Sequence, residues 1–359
     1  MTALAQETAE QPDVLARLLD RLVPRADELR SAALGGGDVR GIVIAARGSS
    51  DNAARYAQYL WSAQHRIPVT LATPSLQTVY GVTPDLSGQL VVAISQSGSS
   101  PDVVGVLAAA RDQGRPAIAV TNDPDSDLAR AATAVVELGA GTERSVAATK
   151  TYTSSLLAVA LLGTAWLDDG DARRRLSEQL ALVPAAAAAL LDRLTGSEAV
   201  DAAAAALGPY DRGVAVGRGL NLSTAHEVAL KVTELAGTLM SPYSPADLRH
   251  GPLGAVGPET PVLLVLPDEP ASASVAALVP DLATREAPVI AIADPAGVGG
   301  EVLVTCAAGL PMDPDPGVAD WLTPLLAVLP GQLVAARLAA ARGVDVDRPG
   351  GLAKVTRTR

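Results

Sequence analysis

Three charged residues, Glu227, Lys231 and Glu234, recur at a spacing of i, i+4 and i+7 in a segment dominated by Ala, Leu and Val. The composition of this segment, TAHEVALKVTELAGTLMS, predicts a helix over Thr224–Ser241, and the spacing places the three charges on one face. An exposed stripe of this kind would be an ordinary Glu-to-Lys pair that stabilises the helix by about 0.2–0.5 kcal/mol. Because the rest of the helix is so apolar, we favour the alternative in which the stripe lines a polar cleft suited to proton transfer.

A histidine follows shortly after this helix, in the segment YSPADLRHGP. His250 directly precedes Gly251-Pro252, which predicts a turn rather than a position inside a helix. Because imidazole titrates near pH 7, His250 is a candidate proton donor and acceptor, although an exposed turn histidine would have the same local sequence. The other two histidines, His65 and His226, have no comparable setting, so we assign both to structural or surface positions.

A hydroxyl-rich loop is the third feature that could do chemistry. Residues 95–100 read SQSGSS and are followed by Pro101, between a predicted strand and a predicted helix. Serine hydroxyls and the unpaired N–H groups of a helix start suit a phosphate, and Gly98 permits a backbone shape that other residues resist. Gly48-Ser49-Ser50 follows an earlier strand and should face the same crevice. A capping turn without a ligand is the alternative, since Ser and Gly are common at helix starts.

Short apolar strands alternate with helices around these segments. In the first half, strands are predicted at Gly41–Ala46, Gln89–Ile94 and Pro116–Thr121, and helices at Ser50–Trp61 and Asp102–Gln113. The second half repeats the pattern at one offset of roughly 170 residues, with strands predicted at Gly213–Gly217, Pro261–Leu266 and Pro288–Ala293. The alternation predicts an α/β fold of two tandem doubly wound domains, each with a parallel sheet covered on both faces.

Five segments follow from this organisation. An N-terminal helical segment at 1–34 reads as one amphipathic helix interrupted at Pro24. The first domain is placed at 35–165 and the second at 208–340, with a helical linker at 166–207 inside a helical region that spans about Lys150–Leu207. Residues 341–359 form a C-terminal tail.

The two predicted domains differ at the loop after their second predicted strand. In the second domain this loop reads Pro267-Asp268-Glu269-Pro270, which is acidic and would repel an anion, so only the first domain is expected to hold phosphate. Neither a G-x-x-x-x-G-K-[ST] motif nor a G-x-G-x-x-G motif after a strand is present, which favours a sugar phosphate over a nucleotide. No motif indicates a metal or an organic cofactor, because three histidines without a nearby Cys or His partner give poor zinc spacing.

Composition restricts the partners and the compartment. The 359 residues are sufficient for two domains with their own cores, and the net charge of −11 argues against a nucleic-acid surface. The single cysteine, Cys306, rules out a disulfide within the chain and fits a reducing compartment. The polar, acidic N-terminus does not read as a signal peptide, and no run of 18 uninterrupted apolar residues predicts a membrane helix. We therefore predict a cytoplasmic protein without a membrane partner.

The segments quoted above resemble one enzyme family. GRGLNLSTAHEVALKVTELAGTLMSPYSPADLRHGP resembles the catalytic stretch of the isomerase half of glucosamine-6-phosphate synthase, and SQSGSSPD resembles the phosphate loop of that family. SVAATKTYTSSL, residues 145–156, resembles its V-A-S-T-K segment, and GVDVDRPGGLAK, residues 343–354, resembles its mobile C-terminal lid. The similarity covers nearly the whole chain after about residue 35, in order, and together these motifs are specific to tandem sugar isomerase (SIS) domain enzymes.

The resemblance implies roles for individual residues. Glu234 matches the base that moves a proton between C1 and C2 of the sugar. His250 matches the acid–base group for ring opening, which in the family enters from the neighbouring subunit, and Glu227 matches a carboxylate that supports this histidine. Lys354 matches a tail lysine near the sugar ring, and Lys231 matches a lysine of the catalytic helix. The implied substrate-binding residues are Ser50, Ser95, Gln96, Ser97 and Ser100 at the phosphate, with Ser49 in the same turn as Ser50, and Val146 and Ala353 through backbone contacts.

The chain departs from the family at several positions. Arg47 stands where the family has a small residue or Cys, Ser99 replaces a usual Glu, and Ser241 and Asp247 stand where the synthase has glutamates. The synthase also carries an N-terminal glutaminase with a nucleophilic cysteine, which this sequence does not contain, so glutamine-dependent synthesis is not expected.

Three functions stay open at the level of sequence. The first is deamination and isomerisation of glucosamine 6-phosphate to fructose 6-phosphate and ammonia, as an amino-sugar phosphate deaminase/isomerase. The second is dehydration of N-acetylglucosamine 6-phosphate, in which the same C2 abstraction expels the C3 hydroxyl. The third is a non-catalytic sugar-phosphate sensor, which the joint presence of Glu234, His250 and Lys354 disfavours. A small-molecule substrate, no nucleic-acid partner and a homodimer that shares His250 across its interface are expected from the resemblance.

Overall fold

The computed structural model describes residues 2–35, 37–312, 317–351 and 354. These residues form two compact units. The first-sheet unit consists of residues 13–35, 37–143, 150–181 and 354, and the second-sheet unit of residues 2–12, 144–149, 182–312 and 317–351. Each unit contains one five-stranded sheet within these described residues.

The strands of the described residues are β1 (Gly41–Ala45), β2 (Val69–Leu71), β3 (Gln89–Ile94), β4 (Ala117–Thr121), β5 (Ala134–Glu137), β6 (Arg212–Val216), β7 (Leu239–Tyr243), β8 (Val262–Leu266), β9 (Val289–Ala293) and β10 (Ala308–Pro311). The first sheet has the order β2-β1-β3-β4-β5 and the second has the order β7-β6-β8-β9-β10, with parallel pairing throughout. The identical order confirms the predicted α/β class and the predicted repeat.

The helices of the described residues are α1 (Ala3–Ala9), α2 (Gln11–Leu22), α3 (Ala26–Leu34), α4 (Ser49–His65), α5 (Ser75–Thr78), α6 (Pro101–Asp112), α7 (Asp127–Ala131), α8 (Lys150–Ala165), α9 (Gly170–Leu180), α10 (Val183–Leu194), α11 (Glu198–Leu207), α12 (Leu222–Ala236), α13 (Pro245–Arg249), α14 (Ser272–Ala276), α15 (Val279–Thr284), α16 (Gly297–Thr305) and α17 (Thr323–Ala341). The predicted interruption at Pro24 is confirmed by a 3₁₀ turn at Val23–Arg25, but the stretch before it forms two helices, α1 and α2, rather than one. Proline lacks the N–H that a continuous helix needs, which accounts for the break at Pro24.

The predicted helix Thr224–Ser241 is also too long at its C-terminal end. Helix α12 ends at Ala236, and Gly237 follows it in the left-handed region with φ +73°. Glycine adopts this conformation without a steric cost, so it is a common residue after the last helical turn. The chain then enters β7, where Met240 pairs with Gly213 of β6, so Leu239–Ser241 belong to a strand rather than to the helix.

One continuous helical stretch of the described chain, Asp320–Ala341, is long and apolar enough by length and composition to cross a membrane. Most of this stretch is buried inside the second-sheet unit, where α17 packs on α10, α11 and α12. A Cβ added to Gly331 of α17 would lie 2.3 Å from Val228 Cγ2 of α12, so the two helices approach closely at that glycine. The stretch is therefore accounted for as a core helix of its unit.

Candidate active site

The hydroxyl-rich loop connects β3 to α6 in the first-sheet unit. Ser95 N donates to Val120 O at 3.0 Å, and Gly98 N donates to Ser95 Oγ at 3.2 Å. Gly98 has φ +59°, and a Cβ at this position would lie 2.1 Å from Ser126 Oγ. Both the conformation and the close approach require glycine here, so the shape of the loop is fixed by its neighbours.

The loop presents its hydroxyls at the start of α6. Ser97 Oγ and Ser99 Oγ are 2.8 Å apart and share a hydrogen bond. Ser100 is the N-cap residue of α6, yet its side chain makes no capping bond there. Gly48, with φ +56°, precedes α4, which Ser49 and Ser50 begin. Because Ala45 of β1 pairs with Ala93 of β3, these two helix starts lie at one edge of the sheet, where an anion is favoured.

An ion pair that sequence reasoning missed connects these two helix starts. Arg47 Nε and Nη2 both lie 2.7 Å from Asp102 Oδ2. Asp102 is in the first turn of α6 and its side chain is buried, whereas the Arg47 side chain is half exposed. This ion pair fixes the position of Arg47, directly before Gly48, relative to the start of α6. Arg47 was recognised in the sequence only as a departure from the family.

The three charges of α12 form a cluster that is largely sealed from solvent. Lys231 Nζ lies 2.5 Å from Glu234 Oε2 and 3.5 Å from Glu227 Oε1. The side chains of Lys231 and Glu227 are 1% and 0% exposed, whereas that of Glu234 is 25% exposed. The alternative of a solvated stripe therefore fails for Glu227 and Lys231. Glu234 is the member of the cluster that a ligand can reach.

His250 lies in the turn that ends α13, as the Gly-Pro sequence predicts. Its Nδ1 is 2.7 Å from the carbonyl oxygen of Ala246. A carbonyl can only accept, so Nδ1 carries the proton and Nε2 is the basic atom of the neutral ring. The residue is exposed, which leaves Nε2 accessible for proton exchange.

The other two histidines have different settings. His65 ends α4, and its ring centroid lies 6.2 Å from that of Trp166. Burial lowers the pKa of His65, which agrees with a structural position. His226 is half-buried on α12.

Sequence reasoning missed two buried carboxylates. Their hydrogen bonds fix parts of the segment around residues 143–151 and of the tail. In the first-sheet unit, Glu143 Oε2 accepts hydrogen bonds from Lys354 Nζ at 2.7 Å and from Thr151 Oγ1 at 2.6 Å. In the second-sheet unit, Glu7 of α1 accepts from the backbone N–H groups of Arg144 and Ser145, which precede Val146. Ala353, predicted to offer a backbone contact, lies outside the described residues. No local sequence pattern links either carboxylate to its distant partner.

A profile of the SIS domain family matches residues 38–165 and 210–341, and these stretches contain the two sheets. The chain belongs to the SIS domain family.

Similar proteins agree with this membership. The glutamine–fructose-6-phosphate aminotransferase (isomerizing) of Bradyrhizobium diazoefficiens is 30% identical over 363 residues, covering 98% of this SIS chain and 58% of that protein. The chain thus spans less than two thirds of the length of this curated relative. The C-terminal domain of glucosamine-fructose-6-phosphate aminotransferase from Francisella tularensis superposes with a TM-score of 0.83 at 27% identity, covering 97% and 98% of the two chains. These findings confirm the predicted resemblance.

A further solved structure shares the fold alone. Glucosamine-6-phosphate deaminase from Thermotoga maritima superposes with a TM-score of 0.73 at 20% identity, covering 99% of this chain and 100% of that one. Among the described residues of this SIS chain, no group of three or more His, Cys, Asp or Glu side chains could hold a metal ion.

The second SIS domain carries a carboxyl group that titrates near neutral pH. Glu269, in the loop after β8, accepts a hydrogen bond from Asn221 Nδ2 at 3.1 Å, and the same amide donates to Thr323 Oγ1 at 2.8 Å. Burial raises the pKa of Glu269 to about 7, the Asn221 hydrogen bond opposes this shift, and the nearby Asp320 charge adds to it.

Replacing Glu269 with Gln is expected to stabilise the protein above pH 7. The folded pKa of about 7 lies above the ordinary value of 4.5, so this carboxyl favours folding fully below pH 4.5 and loses that contribution as the pH rises to about 7. Glutamine does not ionise, so the variant should gain up to about 3 kcal/mol over the parent at pH 8. Urea unfolding at pH 5 and pH 8 measures the difference, and the exposed Glu259→Gln should show no such gain. Equal stability of parent and Glu269→Gln at pH 8 would contradict the shift.

Proposed function

We propose that this SIS protein is an amino-sugar 6-phosphate deaminase/isomerase that converts glucosamine 6-phosphate to fructose 6-phosphate and ammonia. The observation that carries the proposal is the α12 cluster, in which the buried Lys231 ammonium holds the partly exposed Glu234 carboxylate at 2.5 Å. A carboxylate fixed in a largely dry setting suits the transfer of a carbon-bound proton. The name of the relative from Bradyrhizobium diazoefficiens, a glutamine–fructose-6-phosphate aminotransferase, supports the same substrate class.

The reaction begins with opening of the pyranose ring. The ring oxygen must gain a proton while the hydroxyl on C1 loses one, which yields the C1 aldehyde. His250 suits this exchange because its Nδ1–H is occupied by the Ala246 carbonyl and its Nε2 is free to accept and return a proton. Entry of His250 from a second subunit of a homodimer stays part of the proposal.

Proton transfer between C2 and C1 follows. Glu234 removes the proton from C2, the released electron pair forms the C1–C2 double bond, and the aldehyde oxygen takes up a proton to give an enolamine. Return of the proton from Glu234 to C1 moves the double bond to C2 and nitrogen. Water then adds to this protonated imine, ammonia leaves and one proton returns to solvent, which gives the ketone of fructose 6-phosphate. A positive group near the enolamine oxygen lowers the barrier, and Lys354 is assigned this task.

The phosphate group is assigned to the loop of Ser95–Ser100 and to the start of α4. Binding energy from a phosphate that does not react can be used to orient C1 and C2. The loop supports this assignment through its fixed shape at Gly98 and its hydroxyls at the α6 terminus.

A substrate screen tests the proposal. Purified protein would be incubated with glucosamine 6-phosphate, N-acetylglucosamine 6-phosphate and fructose 6-phosphate, and the products identified by NMR. Ammonia and fructose 6-phosphate from the free amino sugar are expected. Loss of water from the acetylated sugar alone would identify a dehydratase instead, and binding without any product would identify a sensor.

Removing two hydroxyls of the phosphate loop is expected to raise the KM for the substrate strongly. In Ser97→Ala/Ser100→Ala, the KM for the 6-phosphate should rise at least about tenfold to hundredfold, because even one hydrogen bond to a charged group contributes about 1.5–3 kcal/mol. Steady-state kinetics measures the change, with the exposed Ser75→Ala in the same unit as the control. An unchanged KM would remove the loop from the binding site.

A further inference from the structure

The chain uses lysine in an unusual way. Of its 28 Lys and Arg residues only three are lysines, Lys150, Lys231 and Lys354. Lys150 and Lys231 are 3% and 1% exposed, and the Lys354 side chain is 24% exposed. No lysine therefore lies on the open surface, where the cations are arginines.

Arginine and lysine are not interchangeable where geometry is confined. Guanidinium is planar, broad and permanently charged, whereas the ammonium group is a compact point charge with three rotatable donors. In a chain that otherwise uses arginine, the tail position 354 retains lysine beside a buried carboxylate. The tail also contains arginines close to Lys354 in sequence, including Arg348 in the described part of the chain. The choice of lysine points to a requirement for a compact ammonium at this place.

The carboxylate that receives this ammonium is Glu143. Its side chain is 0% exposed, and it accepts from Thr151 N at 3.1 Å and from Thr151 Oγ1 at 2.6 Å. Thr151 is in the first turn of α8, so the helix start fixes the carboxylate and its dipole favours the negative charge there. Lys354 Nζ, 2.7 Å from Oε2, contributes the opposite charge that a buried carboxylate needs.

We propose that Glu143 is the positioning residue for Lys354, a receptor carboxylate fixed by α8 that sets where the tail ammonium lies. Lys354 then offers an oriented positive charge and hydrogen-bond donor to the enolamine oxygen. The kinetic consequence rests on the proposed function, whereas the contact itself does not.

The contact can be tested without any activity measurement. With only three lysines, ¹⁵N-lysine labelling gives a spectrum in which each ammonium can be assigned by substitution. The Lys354 ammonium signal should be protected from solvent exchange in the parent, lost in Glu143→Gln, and retained in Glu137→Gln, a control from the same unit that removes a partner of Arg21. An unchanged Lys354 signal in Glu143→Gln would overturn the proposal. If the contact is found but no substrate turns over, the proposed function fails and the contact stands.

Kinetics separates a positioning role from a purely structural one. Glu143→Gln and Lys354→Met should each lower kcat by about 100-fold, as loss of one stabilising donor does, and the double variant should be no slower than the worse single variant. Lys354→Arg should not restore the rate, because the broad guanidinium does not match the site of the ammonium. If Glu143 served only to start α8, the two losses would multiply, and that result would also overturn the proposal.

Discussion

Glu234→Gln is expected to lower kcat for glucosamine 6-phosphate by about 10²–10⁴-fold while leaving substrate affinity within a few-fold of the parent. The amide has nearly the size of the carboxylate and still offers an oxygen to Lys231, so the fold of the cluster is preserved. It cannot accept the proton from C2, and that step has no other base in the proposed chemistry. Stopped-time product assays and calorimetric binding of the 6-phosphate measure the two quantities separately.

Exchange of the C2 hydrogen with D2O gives a second, more direct readout of the same prediction. The parent should incorporate deuterium at C2 of the sugar, and Glu234→Gln should not. Glu301→Gln, on the exposed face of α16, changes one carboxyl of the same unit without touching the cluster and should behave like the parent. Unchanged turnover in Glu234→Gln would favour the non-catalytic sensor.

The sequence predicts the strands that are buried on both faces and misses those at the sheet edges. Strands such as β8 and β9 are uninterrupted apolar runs, because a central strand of a parallel sheet contacts helices on both sides. β2 has only three residues and β7 reads LMSPY, so neither has the apolar run or alternation that indicates a strand. Each forms because β1 or β6 provides a long-range partner, which a local pattern does not contain.

The sequence likewise predicts some features of the candidate site and misses others. Spacing along one helix is sufficient to place Glu227, Lys231 and Glu234 on one face, and Gly-Pro is sufficient to place His250 in a turn. The sequence does not give the degree of burial, which distinguishes a functional cluster from a solvated pair. Contacts between distant parts of the chain have no sequence period at all, so the receptor for Lys354 is found only when the fold brings Glu143 to it.

Lys231→Met is expected to lower the free energy of unfolding by about 3–5 kcal/mol, the cost of leaving a buried charge without its partner. Methionine has a similar length and fills the space, so packing is largely kept. The loss arises because Glu227, with 0% exposure, and Glu234 then face each other without the ammonium between them. Urea unfolding at pH 7 measures it, and Arg249→Met, which breaks an exposed pair with Asp281, should cost no more than about 1 kcal/mol.

A second substitution distinguishes the buried charge from simple loss of packing. In Glu227→Gln/Lys231→Met the carboxylate left most deeply buried becomes neutral, so the double variant should recover a large part of the stability that Lys231→Met loses. If the losses came from packing defects, the two losses of unfolding free energy would add, and the double variant would be less stable than either single variant. Recovery of stability without recovery of kcat would show that the cluster is retained for proton chemistry, since a neutral pair of similar volume can fold equally well.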